Sequence, residues 1–365
     1  MSAPAAALPW WADYVLLPLL NLALALVLAA CVVLAAGGNP LAAMQAVARG
    51  AFGGTEAVGY TLYYATDMVF AGLAVAVAFH AGLFNIGVEG QASLAGLGAA
   101  LVCLALPGLP GWLLAPLAIV GAALFGAGWA AVPGWLQARR GSHVVITTIM
   151  FNFIAAALMV YLLVNVLIAP GQMSPETRSF APAAALPSMH AMAAAFGLSV
   201  TATPLNAAFP MALACLVLVW GVIWHTRWGY SLRVVGASPR AALYAGIEPG
   251  RQVILAMLFS GALAGGIAVN ELLGAQHKLQ VGFTAGYGFT GIAVALMGRN
   301  HPVGILLAAV LFGALYQGGA EMAFDLPNIS SDLVVAIQGL VILTTGGMAL
   351  LLRPLLVRAI AGRRR

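Results

Sequence analysis

Seven polar side chains stand alone in, or at the mouth of, long apolar runs: Asp67, Asn85, Glu89, Asn152, Asn270, Glu271 and Gln338. In a soluble protein, carboxylates in such surroundings would suggest acid–base catalysis or a metal centre. The spacing here supports neither. The six histidines (His80, His143, His190, His225, His277 and His301) fall in different gaps, while Cys31, Cys103 and Cys215 sit in separate apolar runs with no CxxC pair. Such cysteines act as small packing residues. The one lysine lies in His277-Lys278-Leu279, so a GxxxxGK[ST] phosphate loop cannot exist, and HExxH, GxSxG and DxDxDG patterns are also missing from the sequence. The chain is expected to be no enzyme, to hold no cofactor or metal, and to leave any ATP hydrolysis to another protein.

The chemistry left is that of a membrane interior. A carboxylate at the bilayer centre costs about 2.5 to 3.5 kcal/mol on insertion scales, so it faces the bundle interior or a wet cavity. Asp67, which follows Tyr63 and Tyr64, is either a group on a solute path or a partner for a Thr, Asn or backbone group on a neighbouring helix. Glu89 and Glu271 lie near the ends of apolar runs, where solvation is a third option.

The composition requires that setting. Of 365 residues 63% are hydrophobic and 7% charged, with a mean hydropathy of +1.01. A soluble chain covers its core with about a quarter charged residues, so the solvent for most of this surface is lipid. The net charge of +5 forms no stripe with interleaved aromatics, which argues against a nucleic-acid partner. Runs of about 17 to 25 apolar residues suffice to cross the hydrocarbon. About ten are predicted, near 14–36, 61–80, 89–106, 112–133, 144–168, 207–225, 252–272, 284–298, 302–320 and 333–352. The first is too long for a signal-peptide core and lacks a basic start, so it is expected to remain as a helix. The fold class is therefore all-α, a polytopic transmembrane bundle.

Arginine sets the expected orientation. With ten spans, Arg139 and Arg140, then Arg227, Arg233, Arg240 and Arg251, then Arg299, then Arg353, Arg358 and Arg363 to Arg365 all fall on one face, with both termini inside and Arg49 as the exception. The Pro-rich gap 169–206 then lies outside as an ordered loop. Trp10, Trp11, Trp112, Trp220, Trp224 and Trp228 sit near span ends, as headgroup anchors do. Ten spans divide as five plus five, an inverted repeat in which the third and eighth correspond. Both are short, and both are reached through glycine-rich stretches, Gly82-Leu-Phe-Asn-Ile-Gly87 and Gly282-Phe-Thr-Ala-Gly286. Loosened backbone at matching positions points to a transport path, and close Gly/Ala packing is the alternative reading.

The gap 226–251 has its own design. Ser238 is placed to cap a helix, Pro239 fits the first turn, Arg240, Ala241, Ala242, Leu243 and Tyr244 continue it, and Gly246 is suited to end it in the left-handed conformation. Leu243, Tyr244 and Ile247 give this two-turn helix an apolar side that another protein could grip; otherwise it is a connector.

Four ordered stretches carry a resemblance: Ala81-Gly-Leu-Phe-Asn-Ile-Gly-Val-Glu-Gly-Gln91, Gly141-Ser-His-Val-Val-Ile-Thr-Thr-Ile-Met-Phe-Asn152, Gly236 to Ile247, and Gly286-Tyr-Gly-Phe-Thr-Gly-Ile-Ala-Val-Ala-Leu-Met-Gly-Arg-Asn-His-Pro302. Together they resemble the ABC-transporter permeases of the branched-chain amino acid, ribose and nucleoside type, and the wording is most similar to nucleoside and simple-sugar permeases. The resemblance covers about 55–350 of a single transmembrane permease domain, 1–365. It implies an importer subunit in the bacterial inner membrane that works with an ABC ATPase holding ATP and Mg, a second related permease in a heterodimer, and an extracytoplasmic solute-binding lipoprotein. It also implies that Ser238 to Gly246 is the ATPase-coupling helix. The family more often has an acidic residue where Thr290 stands, which leaves the role of that turn open. A nucleoside would need neutral polar and aromatic contacts, and Phe84, Asn85, Asn152, Tyr287, Phe289 and Thr290, with Asp67 and Glu89, are the candidate path residues. Import of simple sugars or branched-chain amino acids, an ion-driven secondary transporter, and a scaffold or channel subunit are the alternatives.

Overall fold

A computed structural model describes residues 16–169, 171–197, 200–326, 329, 330, 333–341, 343 and 344, with positions 9, 12, 354, 356 and 357. Its described regular structure is helical: α1 (Leu17–Ala35), α2 (Pro40–Phe52), α3 (Thr55–His80), α4 (Val88–Ala105), α5 (Gly111–Trp135), α6 (Val144–Asn165), α7 (Met189–Ala195), α8 (Ala208–His225), α9 (Arg227–Ala237), α10 (Pro239–Tyr244), α11 (Pro249–Ala268), α12 (Tyr287–Met297) and α13 (Pro302–Asp325). π-Helical turns extend α5 to Arg140 and α11 to Gln276.

Seven of the described helices are long and apolar enough to cross a membrane, eight if α1 and α2 form one span bent by 118°. That corner has a local cause. Asn39 caps α2 by accepting from Leu41 N at 2.9 Å, and Pro40 cannot continue α1. The expected eighth span is the short α12, and the last predicted span, 333–352, is helical over 333–341 and otherwise falls largely outside the described residues. The basic cluster from Arg353 to Arg365 also lies outside them, as do Trp10 and Trp11.

The chain forms two compact units. In the first, residues 1–53 and 314–365, a core of Val33, Ala43, Ala46, Met322, Ile329, Val334 and Ile337 closes around α2 and the end of α13. The second, Gly54–Gly313, is built around α3, of which 17 residues are buried. Lipid offers no hydrophobic drive for helix pairing, so packing depends on close backbone approach. The carbonyl of Gly126 on α5 lies against Gly261 on α11, and the carbonyl of Gly98 on α4 lies 2.9 Å from where a Cβ of Gly121 would be.

The gaps of the second unit sort onto two ends. At one, His80 meets Asn300, Gly82 meets Gly236, and Arg139 pairs with Glu248 at 3.9 Å. At the other, the loop expected outside lies along residues 273–280: Thr177 N donates to Leu279 O, Phe180 N to His277 O and Leu186 N to Leu273 O, at 2.7 to 2.9 Å. This division follows the arginine pattern, with two additions that the sequence argument passed over. Arg178 and Lys278 lie at the loop end, where Arg178 donates to Leu104 O at 2.9 Å and Lys278 pairs with Glu176 at 2.7 Å.

Candidate functional site

The glycine-rich stretches before α4 and α12 bring the first turns of these two short helices together. A Cβ on Gly288 would lie 2.6 Å from Glu89 Cα, so only glycine permits the approach. Helix N-termini carry partial positive charge and free N–H groups, and two of them facing each other repel. Glu89, in the first turn of α4, resolves the conflict. Its Oε1 accepts from Thr284 Oγ1 at 2.6 Å and Gly286 N at 3.1 Å, and its Oε2 from Gly288 N at 2.9 Å. One carboxylate thus serves both helix ends. Thr290 lies one turn along α12 and is buried.

Amides close the α4 end. Asn85 Oδ1 accepts from Gly87 N at 2.9 Å, and its amide exchanges two 3.1 Å bonds with that of Gln91. Asn85 also donates to Ser260 Oγ, which donates to Ala74 O. Asn152 Oδ1 accepts from Gly90 N and its Nδ2 donates to Ile86 O, both at 2.9 Å. These groups tie 85–91 to α3, α6 and α11. Gln91, which the sequence marks only as the end of a resembling stretch, and Ser260 are not candidate site residues by type, because a Gln beside glycines and a Ser in an apolar run look like ordinary helix residues.

A second node sits where α11 becomes π-helical. The wider turn places consecutive residues Asn270 and Glu271 against α3. Asn270 Nδ2 donates to Asp67 Oδ2 at 2.8 Å and its Oδ1 accepts from Asn206 at 3.0 Å. Glu271 accepts from Tyr63 Oη at 2.8 Å and from Gln276 Nε2 at 2.6 Å. Asp67 has no exposed surface and lies within interacting distance of Glu271. The described ion pairs, Arg139–Glu248 and Lys278–Glu176, lie elsewhere. Of the two readings open for Asp67, this geometry supplies the neighbouring-helix partner. Glu271 is buried and hydrogen-bonded, and Glu89 is hydrogen-bonded and partly exposed.

Among the remaining candidates, Phe289 is 48% exposed, Phe84 and Asn152 are partly exposed, and Asn85, Tyr287 and Thr290 are buried within this chain. Helix α10 forms as its sequence suggests. Ser238 Oγ accepts from Ala241 N at 3.3 Å, Pro239 begins the helix, and Gly246 at φ 72° closes it, with Ile247 N donating to Ala242 O at 2.9 Å. Ala242 is fully buried, whereas Leu243 and Tyr244 are 62% and 96% exposed and Arg240 and Ala241 lie outward. Trp112 is exposed, as an anchor should be, but Trp224 and Trp228 are packed, on His80 and His301 and on Phe259. Among the described residues no group of three His, Cys, Asp or Glu side chains converges as metal ligands.

Residues 57–345 match the family described as "Branched-chain amino acid transport system / permease component". The guanosine ABC transporter permease protein NupP of Bacillus subtilis is 36% identical over 329 residues, 89% of this chain and 92% of that protein. The nucleoside ABC transporter permease protein NupB of Lactococcus lactis is 32% identical over 90% of this chain and 89% of its own length. The glucose ABC transporter permease protein TsgB13 of Haloferax volcanii is 34% identical over 87% and 85%.

Proposed function

This chain belongs to the branched-chain amino acid transport system / permease component family, and on that premise we propose that it is the membrane subunit of an ATP-driven importer of nucleosides or related purine and pyrimidine solutes. The observation that carries the importer reading is α10. A doubly capped helix presents Leu243 and Tyr244 outward at the arginine-rich end, beyond the last turn of α9, which buries Gly229, Leu232 and Val235. Exposed large apolar side chains on a rigid two-turn helix mark a protein contact. The chain has no phosphate loop, so ATP and Mg belong to a cytoplasmic ATPase that grips this helix. A second related permease and a solute-binding lipoprotein on the far side complete the assembly, in the inner membrane with both termini cytoplasmic. The whole of 1–365 acts as one permease domain, with 169–206 outside and 226–251 inside.

The solute assignment rests on the named transport roles of two of the relatives above and on the palette of the interior. Phe84 and Phe289 offer aromatic faces, Asn85 and Asn152 hold the backbone of 86–90, Tyr287 and Thr290 add neutral polar groups on α12, and Asp67 and Glu89 bond across to neighbouring segments. Such a path makes weak, non-ionic contacts and leaves selectivity to the lipoprotein. The glucose permease among the relatives favours simple sugars as the second reading. Uptake of labelled guanosine, adenosine, uridine, glucose and leucine, compared in cells with and without this gene, separates them. Gene-dependent uptake of the three nucleosides is expected; dependence for glucose or leucine alone would refute the nucleoside assignment and leave the importer intact.

A further inference from the structure

Three rings stack at the arginine-rich end of the second unit. Trp224, near the end of α8, stands edge-on to His80 at 5.0 Å between centroids and 84° between planes, and lies tilted against His301 at 5.2 Å and 59°. His80 is the last residue of α3 and donates from Nε2 to Asn300 O at 3.1 Å. His301 precedes α13, where its carbonyl accepts from Ile305 N and its Nδ1 from Val303 N. The turn it terminates, Arg299-Asn300, has two consecutive non-glycine residues at φ 53° and 56°. That conformation is unfavourable for residues with a Cβ and persists only where its surroundings hold it.

The same point is touched by the segment that carries α10. Gly236 lies two residues before the Ser238 cap, and a Cβ there would run into the carbonyl of His80 and come within 3.0 Å of Gly82 N. Gly82, at φ 74°, opens the loop that leads to Glu89. A displacement of α9 and α10 therefore meets no soft side chain at this contact. It presses backbone on backbone at the end of α3, and the ring stack joins that end to the strained turn after α12. The helices so joined carry Asp67 on one side and Phe289 on the other.

We propose that Gly236 and the His80–Trp224–His301 stack form the mechanical joint through which movement of α10 reaches α3 and α12. The proposal rests on the reading of α10 as the ATPase contact. Trp224 and Gly236 are positioning residues in it, acting through the helices they fix.

The test is the complete importer reconstituted in proteoliposomes, with ATP hydrolysis and solute accumulation measured together. Trp224→Leu and Gly236→Ala are expected to lower the solute carried per ATP about five- to tenfold while basal hydrolysis stays within about twofold. Trp224→Phe, which keeps a ring, should recover most of the loss. An unchanged ratio in both variants overturns the joint. So does an equal fall in hydrolysis and transport that tracks lost folded complex, since that is stability alone, and His301→Gln provides the same comparison if Trp224→Leu fails to assemble. Absence of ATP-dependent transport by the unsubstituted complex would instead refute the reading on which the proposal rests.

Discussion

Glu89 brings a carboxylate to a place where lipid depth would make it costly, and its three donors with two helix dipoles offset that cost. Gln in its place loses the charge and turns an N–H toward backbone N–H groups, so Glu89→Gln should cost about 2 kcal/mol and loosen the junction of α4 with α12. Thermal inactivation of the purified protein checks this, and unchanged stability would show that the contact is incidental. Asn270 is the buried hub of the second node. Its amide serves Asp67, Tyr63 O and Asn206 at once, so Asn270→Leu leaves buried polar groups without partners and should cost about 2 to 3 kcal/mol in unfolding measurements; a loss below about 0.5 kcal/mol would mean that those groups find other partners. At this scale the sequence was legible by type and not by role. Isolation in an apolar run singled out Asp67, Asn85, Glu89, Asn152, Asn270, Glu271 and Gln338, and each has a hydrogen-bond partner within the chain, Gln338 donating to Leu315 O at 3.3 Å. Which partner each takes depends on residues up to 208 positions away, as for Tyr63 and Glu271, and no local pattern encodes that distance.

Among the elements, α10 was the most legible, because a Ser cap, a Pro at the first position and a Gly at the end act within a few residues of one another. Leu243 and Tyr244 mark its outward side in the sequence, but that Ala242 is the position turned inward was not legible, since six residues are too few for periodicity to assign every side. The structure makes the two central positions opposite in kind. Leu243→Glu should abolish solute-stimulated ATP hydrolysis while the protein still inserts and folds, whereas Ala242→Glu buries a charge against α9 and should lower the amount of folded protein. Equal coupling in Leu243→Glu and the unsubstituted protein would make α10 a connector. The π-helical end of α11, the α1–α2 corner and the inward turn of Trp224 were hidden for a related reason. Hydropathy measures how apolar a run is, and it is blind to an extra residue in a turn or to which neighbour an indole meets.

For the whole molecule, apolar length was enough to read an all-α membrane bundle; in the second unit the arginines counted for orientation lie at the end opposite the 169–206 loop, while Arg178 and Lys278 lie with that loop. The count of spans was less legible, because α12 is half the usual length and α2, beyond the corner after α1, falls between the predicted runs 14–36 and 61–80. The expected topology is tested with single cysteines at Met173 and Tyr244, both almost fully exposed, in a background lacking Cys31, Cys103 and Cys215. Impermeant maleimide should label intact cells at Met173 alone and inverted vesicles at Tyr244 alone; labelling of both from one side would refute the orientation. The central claim is that this chain is the membrane path of an ATP-driven nucleoside importer, and the most direct measurement is guanosine accumulation by proteoliposomes containing the complete complex. Accumulation that requires ATP, survives collapse of the ion gradients and disappears when this chain is omitted is the expected result. Accumulation that follows the ion gradient without ATP, or that persists without this chain, would contradict it.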